Sequence, residues 1–161
     1  MDEILEILQQ DARRTPEDIA KMTGKSAAAV KKVVSEYEKN GTIVHYKTVI
    51  NHDLARDNKS FVLALIEVSI TPQKDVGFDS IAERIYKFPE VKTCYLVSGG
   101  YDLLVVVEGQ SIQTVAEFVA SKLSPMENVR QTTTHFLLKK YKEDGQVLKK
   151  NNKQKRLNIS Y

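Results

Sequence analysis

The order of apolar segments after residue 60 is the feature that most constrains this chain. Strand-like runs, rich in apolar and β-branched residues, occupy 61–70, 91–98, 101–109 and 129–142. Two stretches between them, 78–88 and 111–123, repeat apolar residues at helical spacing. The order β-α-β-β-α-β is that of the split βαβ arrangement, so we expect an α+β, ferredoxin-like sandwich whose first and third strands are central.

The central strands of this expected sheet are apolar on both faces. In the first strand, Leu63 and Leu65 alternate with Ala64 and Ile66. Two helices cover only one face of a four-stranded sheet, and an uncovered apolar face of this size is unusual in a monomer. We therefore expect a two-fold homodimer in which a second copy covers the open face. Packing of the N-terminal domain on that face is the alternative.

The first 50 residues have the pattern of three helices followed by a strand. Thr15 and Ser26 are typical N-caps, and Gly24 and Gly41 are typical helix ends. A β-branched run at 42–50 predicts the strand. Two short helices and a third with a basic face predict a helix-turn-helix, winged-helix-like domain.

The third predicted helix has one apolar and one polar face. Val30, Val33, Val34 and Tyr37 form the apolar face. The polar face combines small residues, which allow close approach to base edges, with lysines that reach phosphates. The candidate DNA-binding residues are Ser26, Ala27, Ala28, Lys31, Lys32, Ser35 and Lys39. A helical bundle with a solvated basic face is the alternative, because the helix also carries two glutamates and residues 1–50 balance eight basic against eight acidic side chains.

The stretch "SGGYD", residues 98–102, joins the second and third strands of the sandwich. Its adjacent glycines, Gly99 and Gly100, predict a two-residue hairpin turn with positive φ. Asp102 opens an apolar strand, where its carboxylate either accepts backbone N–H groups or binds the ammonium of a small ligand. In the second case the glycine amides would bind the carboxylate of that ligand.

Residues 3–142 as a whole resemble the Lrp/AsnC family of transcription factors, the leucine-responsive and asparagine regulators. "ILEILQQDAR" is similar to the first helix of the family, and "DIAKMTGKS" to the turn before its recognition helix. "YEKNGTI" resembles the segment that leads into the linking strand of the family. "VSGGYDLLVVVEG" resembles the Gly-x-x-Asp core of the effector domain and is the most specific of these matches.

The resemblance implies dimers that form through the sheets, frequent assembly into octamers, and an amino-acid effector bound between dimers. By position, the implied effector site comprises Ser98, Gly99, Gly100, Tyr101 and Asp102, with Thr132 and Thr134 as a further polar wall. The recognition helix of the family usually carries arginines where this chain has Val33, Ser35 and Glu36. Lysine does not replace the bidentate contact of arginine with guanine, so we expect altered or weakened DNA recognition.

These features predict a regulator that binds double-stranded DNA and whose assembly responds to an amino acid or related small metabolite. The alternative is a metabolite-sensing oligomer without specific DNA recognition. The sequence shows no nucleophile–base pair, metal-ligand spacing or phosphate loop, and its three histidines are His45, His52 and His135, scattered along the chain. We therefore expect neither an enzyme nor a bound cofactor or metal.

The predicted organisation is a helix-turn-helix domain at 1–50, a linker at 51–60, an effector domain at 61–142 and a basic tail at 143–161. The last 13 residues carry five basic and no acidic side chains. They predict a disordered end, a basic arm attracted to phosphates, or a vector-derived extension. A single cysteine, Cys94, excludes an internal disulfide, and no apolar run approaches the roughly 20 residues of a membrane span. The acidic N-terminus is not a secretory signal, so we expect a cytoplasmic protein.

Overall fold

The computed structural model of the chain describes residues 2–52, 54–55, 61–71 and 77–148. The chain forms two compact units, which divide after Ile50. Among the described residues, no helix combines the length and apolar character that crossing a membrane requires. The two units are described separately below.

Three short helices form the first unit: α1 (Glu3–Gln10), α2 (Pro16–Thr23) and α3 (Ala27–Lys39). The residue before each helix accepts a backbone N–H of the first turn on its side chain. Thr15 and Asp18 form a capping box, since each side chain accepts the backbone N–H of the other residue. Gly24 ends α2 at φ 68°. The helix boundaries therefore follow local signals that the sequence displays.

The core of the first unit is small. Ile4, Ile19 and Val30, one from each helix, are buried against each other. Tyr37 ties α3 to α1, because its hydroxyl donates to Asp2 Oδ2 at 2.6 Å. This hydrogen bond lowers the pKa of the Asp2 carboxyl and raises the pKa of the Tyr37 hydroxyl. The apolar face of α3 thus packs inward, as its sequence pattern predicts.

The segment after α3 does not form the predicted strand. Residues 42–50 have no ladder partner in the described part of the chain, and Val44 is 88% exposed. The β-branched composition favours an extended backbone, but a strand also requires the N–H and C=O groups of a neighbour. The first unit is otherwise helical and offers no such neighbour.

The second unit is built on a four-stranded antiparallel sheet with the order β2-β3-β1-β4. The strands are β1 (Val62–Ile70), β2 (Val91–Leu96), β3 (Leu103–Gly109) and β4 (Val129–Phe136). The helices are α4 (Phe78–Tyr86) and α5 (Ile112–Phe118), the latter continuing as a π-helical segment over Val119–Leu123. The central position of β1 and β3 confirms the predicted ferredoxin-like order.

One face of this sheet is covered by the helices and forms the core. The residues of β1 and β3 on this covered face have no exposed surface: Ala64, Ile66, Val68, Leu103, Val105 and Val107. Ile81 and Ile85 of α4 and Val115 and Phe118 of α5 pack on them. The other face, which we call the open face, is not covered by α4 or α5.

The end of the effector domain differs from the predicted boundary at residue 142. The strand β4 ends at Phe136, and one more backbone hydrogen bond, from Leu137 N–H to Leu63 O, follows it. A short hairpin, β5 (Lys142–Glu143) and β6 (Gln146–Val147), follows. Asp144 and Gly145 turn it with φ of 45° and 79°, the values of a type I′ turn. The prediction of a tail from residue 143 is therefore wrong at its start, and 149–161 lie outside the described residues.

Candidate DNA-binding helix and effector loop

The helix α3 presents a basic exposed face. Of the predicted DNA-binding residues, five are exposed: Ser26, Ala28, Lys31, Lys32 and Lys39. Ala27 and Ser35 are half-buried. The hydroxyl of Ser26 accepts the N–H of Ala29 at 3.2 Å, so its role in the isolated chain is to cap the helix. The exposed face that the sequence pattern predicts is thus formed mainly by its lysines and one alanine.

Three exposed residues of α3 were not among the predicted DNA-binding positions: Ala29, Glu36 and Glu38. Ala29 is exposed beside Ala28, and Glu36 is exposed one turn after Lys32. Glu36 takes part in no hydrogen bond or ion pair within the described residues, and the same holds for the ammonium groups of Lys31, Lys32 and Lys39. The helical period places Glu36 at the edge of the exposed face. This periodicity is the sequence signal that could have identified Glu36 as a residue of that face. A DNA phosphate would meet three unpaired cations and one unpaired carboxylate there.

The loop between β2 and β3, which we call the effector loop, comprises 97–102. Val97 N–H donates to Asp102 O at 2.9 Å, which leaves 98–101 as the connection. Neither Gly99 nor Gly100 has φ in the left-handed region. The predicted two-residue turn with positive φ is therefore wrong. A four-residue connection permits ordinary backbone angles, so it removes the conformational reason for glycine.

Steric crowding does not explain the two glycines either. A Cβ atom built on Gly99 or Gly100 meets no other atom within 4 Å. Gly109 at the end of β3 is different, because its Cβ would lie 2.8 Å from Val115 Cγ2. Within one chain, Gly109 is required by packing, whereas Gly99 and Gly100 leave backbone groups uncovered at an exposed loop.

Asp102 anchors the effector loop to the neighbouring strand. Its Oδ2 accepts the N–H of Ile70 at 2.7 Å, and its own N–H donates to Val68 O at 3.0 Å. Of the two roles that the sequence leaves open, the structure gives this oxygen the backbone-capping one. The N–H that it caps belongs to the end of β1 and not to the turn itself.

The two threonines of the predicted polar wall lie on β4. Thr132 is opposite Val68, and Thr134 is opposite Ile66, which places both on the covered side of the sheet. Thr132 Oγ1 lies 3.3 Å from Ser124 Oγ. Because Asp102 and Thr132 lie on the two strands that flank β1, they are separated by about two strand spacings, roughly 10 Å. Thr132 thus lies at the end of the sheet that carries the effector loop, whereas Thr134 lies farther from this loop along β4.

No cluster of three or more potential metal ligands occurs among the residues that the structure describes. The site features are therefore an exposed basic helix in one unit and an exposed glycine loop, anchored by a carboxylate, in the other. These features are typical of a DNA-binding protein that carries a separate ligand-binding domain.

Comparison with known proteins identifies the family. Residues 3–44 match a winged helix-turn-helix DNA-binding domain. Residues 63–147 match the Lrp/AsnC ligand binding domain. The HTH-type transcriptional regulator YugG of Bacillus subtilis is 47% identical over 158 residues, which cover 98% of this chain and 95% of that protein. The leucine-responsive regulatory protein of Rhizobium meliloti is 29% identical, over 89% of this chain and 90% of that protein.

Solved structures share the fold. The Neisseria meningitidis regulator NMB0573, crystallised as an L-Met complex, has a TM-score of 0.66 at 24% identity, covering 88% of this chain and 89% of that one. The leucine response regulatory protein LrpA of Mycobacterium tuberculosis has a TM-score of 0.71 at 23% identity, covering 91% and 96%. The chain belongs to the Lrp/AsnC family of DNA-binding transcriptional regulators with an effector-binding domain. The family consists of regulators and not of enzymes, as the sequence predicts.

Proposed function

We propose that the protein binds operator DNA as a homodimer whose open sheet faces pack together. We further propose that an amino acid bound at the effector loop controls the assembly of these dimers, up to an octamer, and so controls transcription. The observation that carries the proposal is the apolar open face, since it requires a cover that α4 and α5 do not supply.

The composition of the open face supports a second copy as that cover. Its central residues, Leu63, Leu65, Leu104 and Val106, stay only half-buried in the single chain. Three more exposed apolar side chains extend this surface along neighbouring positions: Phe61, Tyr95 and Leu137. A two-fold axis would bring identical patches together, as in most soluble homodimers.

The exposed glycines support the effector loop as the ligand site. Gly99 and Gly100 are exposed and have no conformational or steric requirement within the chain, and we propose that their backbone N–H groups bind the carboxylate of a ligand. The L-Met complex of the Neisseria meningitidis regulator supports an amino acid as the ligand class. We assign the site to Ser98, Gly99, Gly100, Tyr101 and Asp102, with Thr132 and Thr134 as its outer wall.

The basic face of α3 supports DNA contact through its lysines. We assign phosphate contacts to Lys31, Lys32 and Lys39, and close approach to the bases to Ser26, Ala27, Ala28 and Ser35. Two such helices in a two-fold dimer predict a pseudo-palindromic operator, with half-sites one helical turn or a multiple of it apart.

A substitution on the open face tests the dimer. Leu104→Glu places a carboxylate in the apolar centre, so we expect a monomer by sedimentation velocity and loss of operator binding by gel shift. Ile112→Glu is the matched control, because Ile112 is also apolar and exposed but lies at the start of α5. A Leu104→Glu protein that remains dimeric would refute the proposed packing.

A substitution in the effector loop tests the ligand site. Gly99→Ala meets no atom within 4 Å, so we expect an unchanged melting temperature. It covers backbone amides with a methyl group, so we expect a loss of affinity of about tenfold or more in calorimetric titrations with a panel of amino acids. Unchanged affinity for the best-bound amino acid would remove Gly99 from the site.

The exposed carboxylate of Glu36 favours a second candidate function. It lies on the DNA-facing helix, where it repels phosphate, and it has no partner in the described chain. A metabolite-sensing oligomer without specific DNA recognition would carry such a residue. We expect the double variant Ser35→Arg, Glu36→Arg to restore DNA affinity if this candidate is right. An unchanged gel shift would argue against it.

A further inference from the structure

One charged pair lies within the open face. His135 Nε2 and Glu67 Oε1 are 3.1 Å apart, with His135 on β4 and Glu67 on β1. The ladder places Glu67 opposite Leu104 and Thr133, and His135 opposite Leu65. Glu67 therefore lies near the apolar centre of the face. The side chains of His135 and Glu67 are 55% and 34% exposed, so a covering surface would remove water from both.

Two other charged groups of the open face are matched with each other. Lys92 of β2 and Glu108 of β3 form an ion pair at 3.4 Å. Beside His135 on β4, Thr133 and Leu137 carry no charge. On β2, Tyr95 is the remaining titratable side chain. Among the described residues, His135 is the one histidine of this face.

We propose that protonation of His135 strengthens the homodimer, so that the Glu67–His135 pair makes assembly of the regulator sensitive to pH. This inference rests on the proposed packing of two open faces. It adds a proton to the effectors that control the oligomeric state.

The physical reason is the cost of an unmatched charge in an interface. When His135 is neutral, each subunit buries the Glu67 carboxylate without a counter-charge, and two such carboxylates repel each other across the two-fold axis. When His135 is protonated, each pair is neutral overall. Histidine ordinarily titrates near about pH 6.5, so the change falls in the physiological range.

The sign of the dependence follows from linkage. The dimer holds the His135 proton more tightly than the monomer does, so dimerisation takes up protons and is favoured as the pH falls. The chain carries a net charge of +3, which rises on acidification and by itself opposes association. Stronger association at lower pH therefore cannot come from net charge.

Sedimentation equilibrium at constant ionic strength tests the proposal, at about pH 6 and about pH 8.5, on either side of the histidine range. For the unsubstituted protein we expect the dimer dissociation constant to rise by about tenfold or more between the lower and the higher pH. His45→Gln is the matched control and should keep this dependence. His135→Gln, which retains a hydrogen-bond donor but cannot be protonated, should abolish it.

Glu67→Gln provides the sharper variant. With a neutral amide at this position, a protonated His135 becomes the unmatched charge, so the dimer should weaken on acidification and the slope should reverse. A dissociation constant that does not change with pH, or an unchanged slope in His135→Gln, would overturn the pH proposal while the dimer itself stands. A monomer at every pH would overturn both the pH proposal and the proposed packing.

Discussion

The two faces of the four-stranded sheet are formed by the same strands but differ in how far their apolar side chains are buried. On the covered face, residues such as Ile66 and Val105 have no exposed surface. On the open face, their sequence neighbours Leu65 and Val106 are equally apolar but only half-buried. The helices α4 and α5 account for the difference, since they reach one face only. The comparison teaches that equal hydrophobicity serves folding on the covered face and, on the open face, remains available for the association that we propose.

The largest expected effect is a difference in unfolding free energy between variants of two adjacent residues of β1. Ile66→Ala removes a fully buried side chain and should cost about 2–5 kcal/mol of unfolding free energy. Leu65→Ala should cost about 1 kcal/mol, because part of that side chain is already in contact with water. Urea unfolding in the Leu104→Glu background measures both changes without a contribution from association. Equal losses of unfolding free energy in the two variants would show that the covered and open faces do not differ in their contribution to folding.

Glycine substitutions sharpen the comparison at the two ends of β3. Gly109→Ala pushes a Cβ against Val115 at 2.8 Å, below α5 on the covered side. We expect a loss of about 1–3 kcal/mol from overpacking. Gly99→Ala should change thermal stability by less than about 0.5 kcal/mol. If both variants unfold alike, the effector loop is packed more tightly than the single chain indicates.

Substitution of Asp102 tests how the effector loop is held against the end of β1. Asp102→Ala removes the acceptor of the Ile70 N–H and should cost about 1 kcal/mol. Amide exchange of Ile70, followed by NMR, should accelerate by about fivefold, the equivalent of that loss. The Val105 amide, in the middle of β3, is the internal reference and should not change. Unaltered exchange at Ile70 would mean that the hydrogen bond does not anchor β1.

The smallest expected effect concerns an ion pair on the helix side. The Lys122 ammonium donates to Glu90, lies 5.6 Å from the Phe88 ring centroid, and lowers the pKa of the Glu90 carboxyl. A carboxyl group with a lowered pKa stabilises the fold at pH values above its ordinary pKa of about 4.3. This contribution is lost as the pH falls through the lowered value.

Lys122→Met should therefore cost about 0.5–1 kcal/mol near neutral pH and little near pH 3. Thermal unfolding at both pH values measures the difference, with Lys139→Met on the segment after β4 as a control. A loss of the same size at both pH values would show that Lys122 acts through packing alone. For the pair on the open face, Glu67–His135, we propose an effect on association and not on the folding of the single chain.

Prediction succeeded where the signals are local or periodic. Helix caps at Thr15 and Ser26 and the glycine that ends α2 are contained within a few residues, and they placed the helices correctly. The order of the sandwich followed from alternating apolar residues in β1 and β3. The turn at Asp144–Gly145 carried an equally local signal that the sequence analysis did not use.

The candidate site was predicted less completely, because its geometry depends on contacts between distant parts of the chain. The sequence indicated Asp102, but the N–H that it accepts belongs to Ile70, 32 residues earlier. It indicated positive φ at Gly99 and Gly100, but the length of the connection allowed ordinary angles. The strand expected at 42–50 lacked a neighbour in its own unit.

The sequence by itself determined the element order, the helix ends and the apolar character of both sheet faces, because these depend on backbone preferences and periodicity within short segments. Only the tertiary structure decided which face the helices cover, which glycine is crowded and which charges meet. Pairs such as Glu67 and His135 lie 68 residues apart in the chain, and their contact exists only once β1 and β4 share a register.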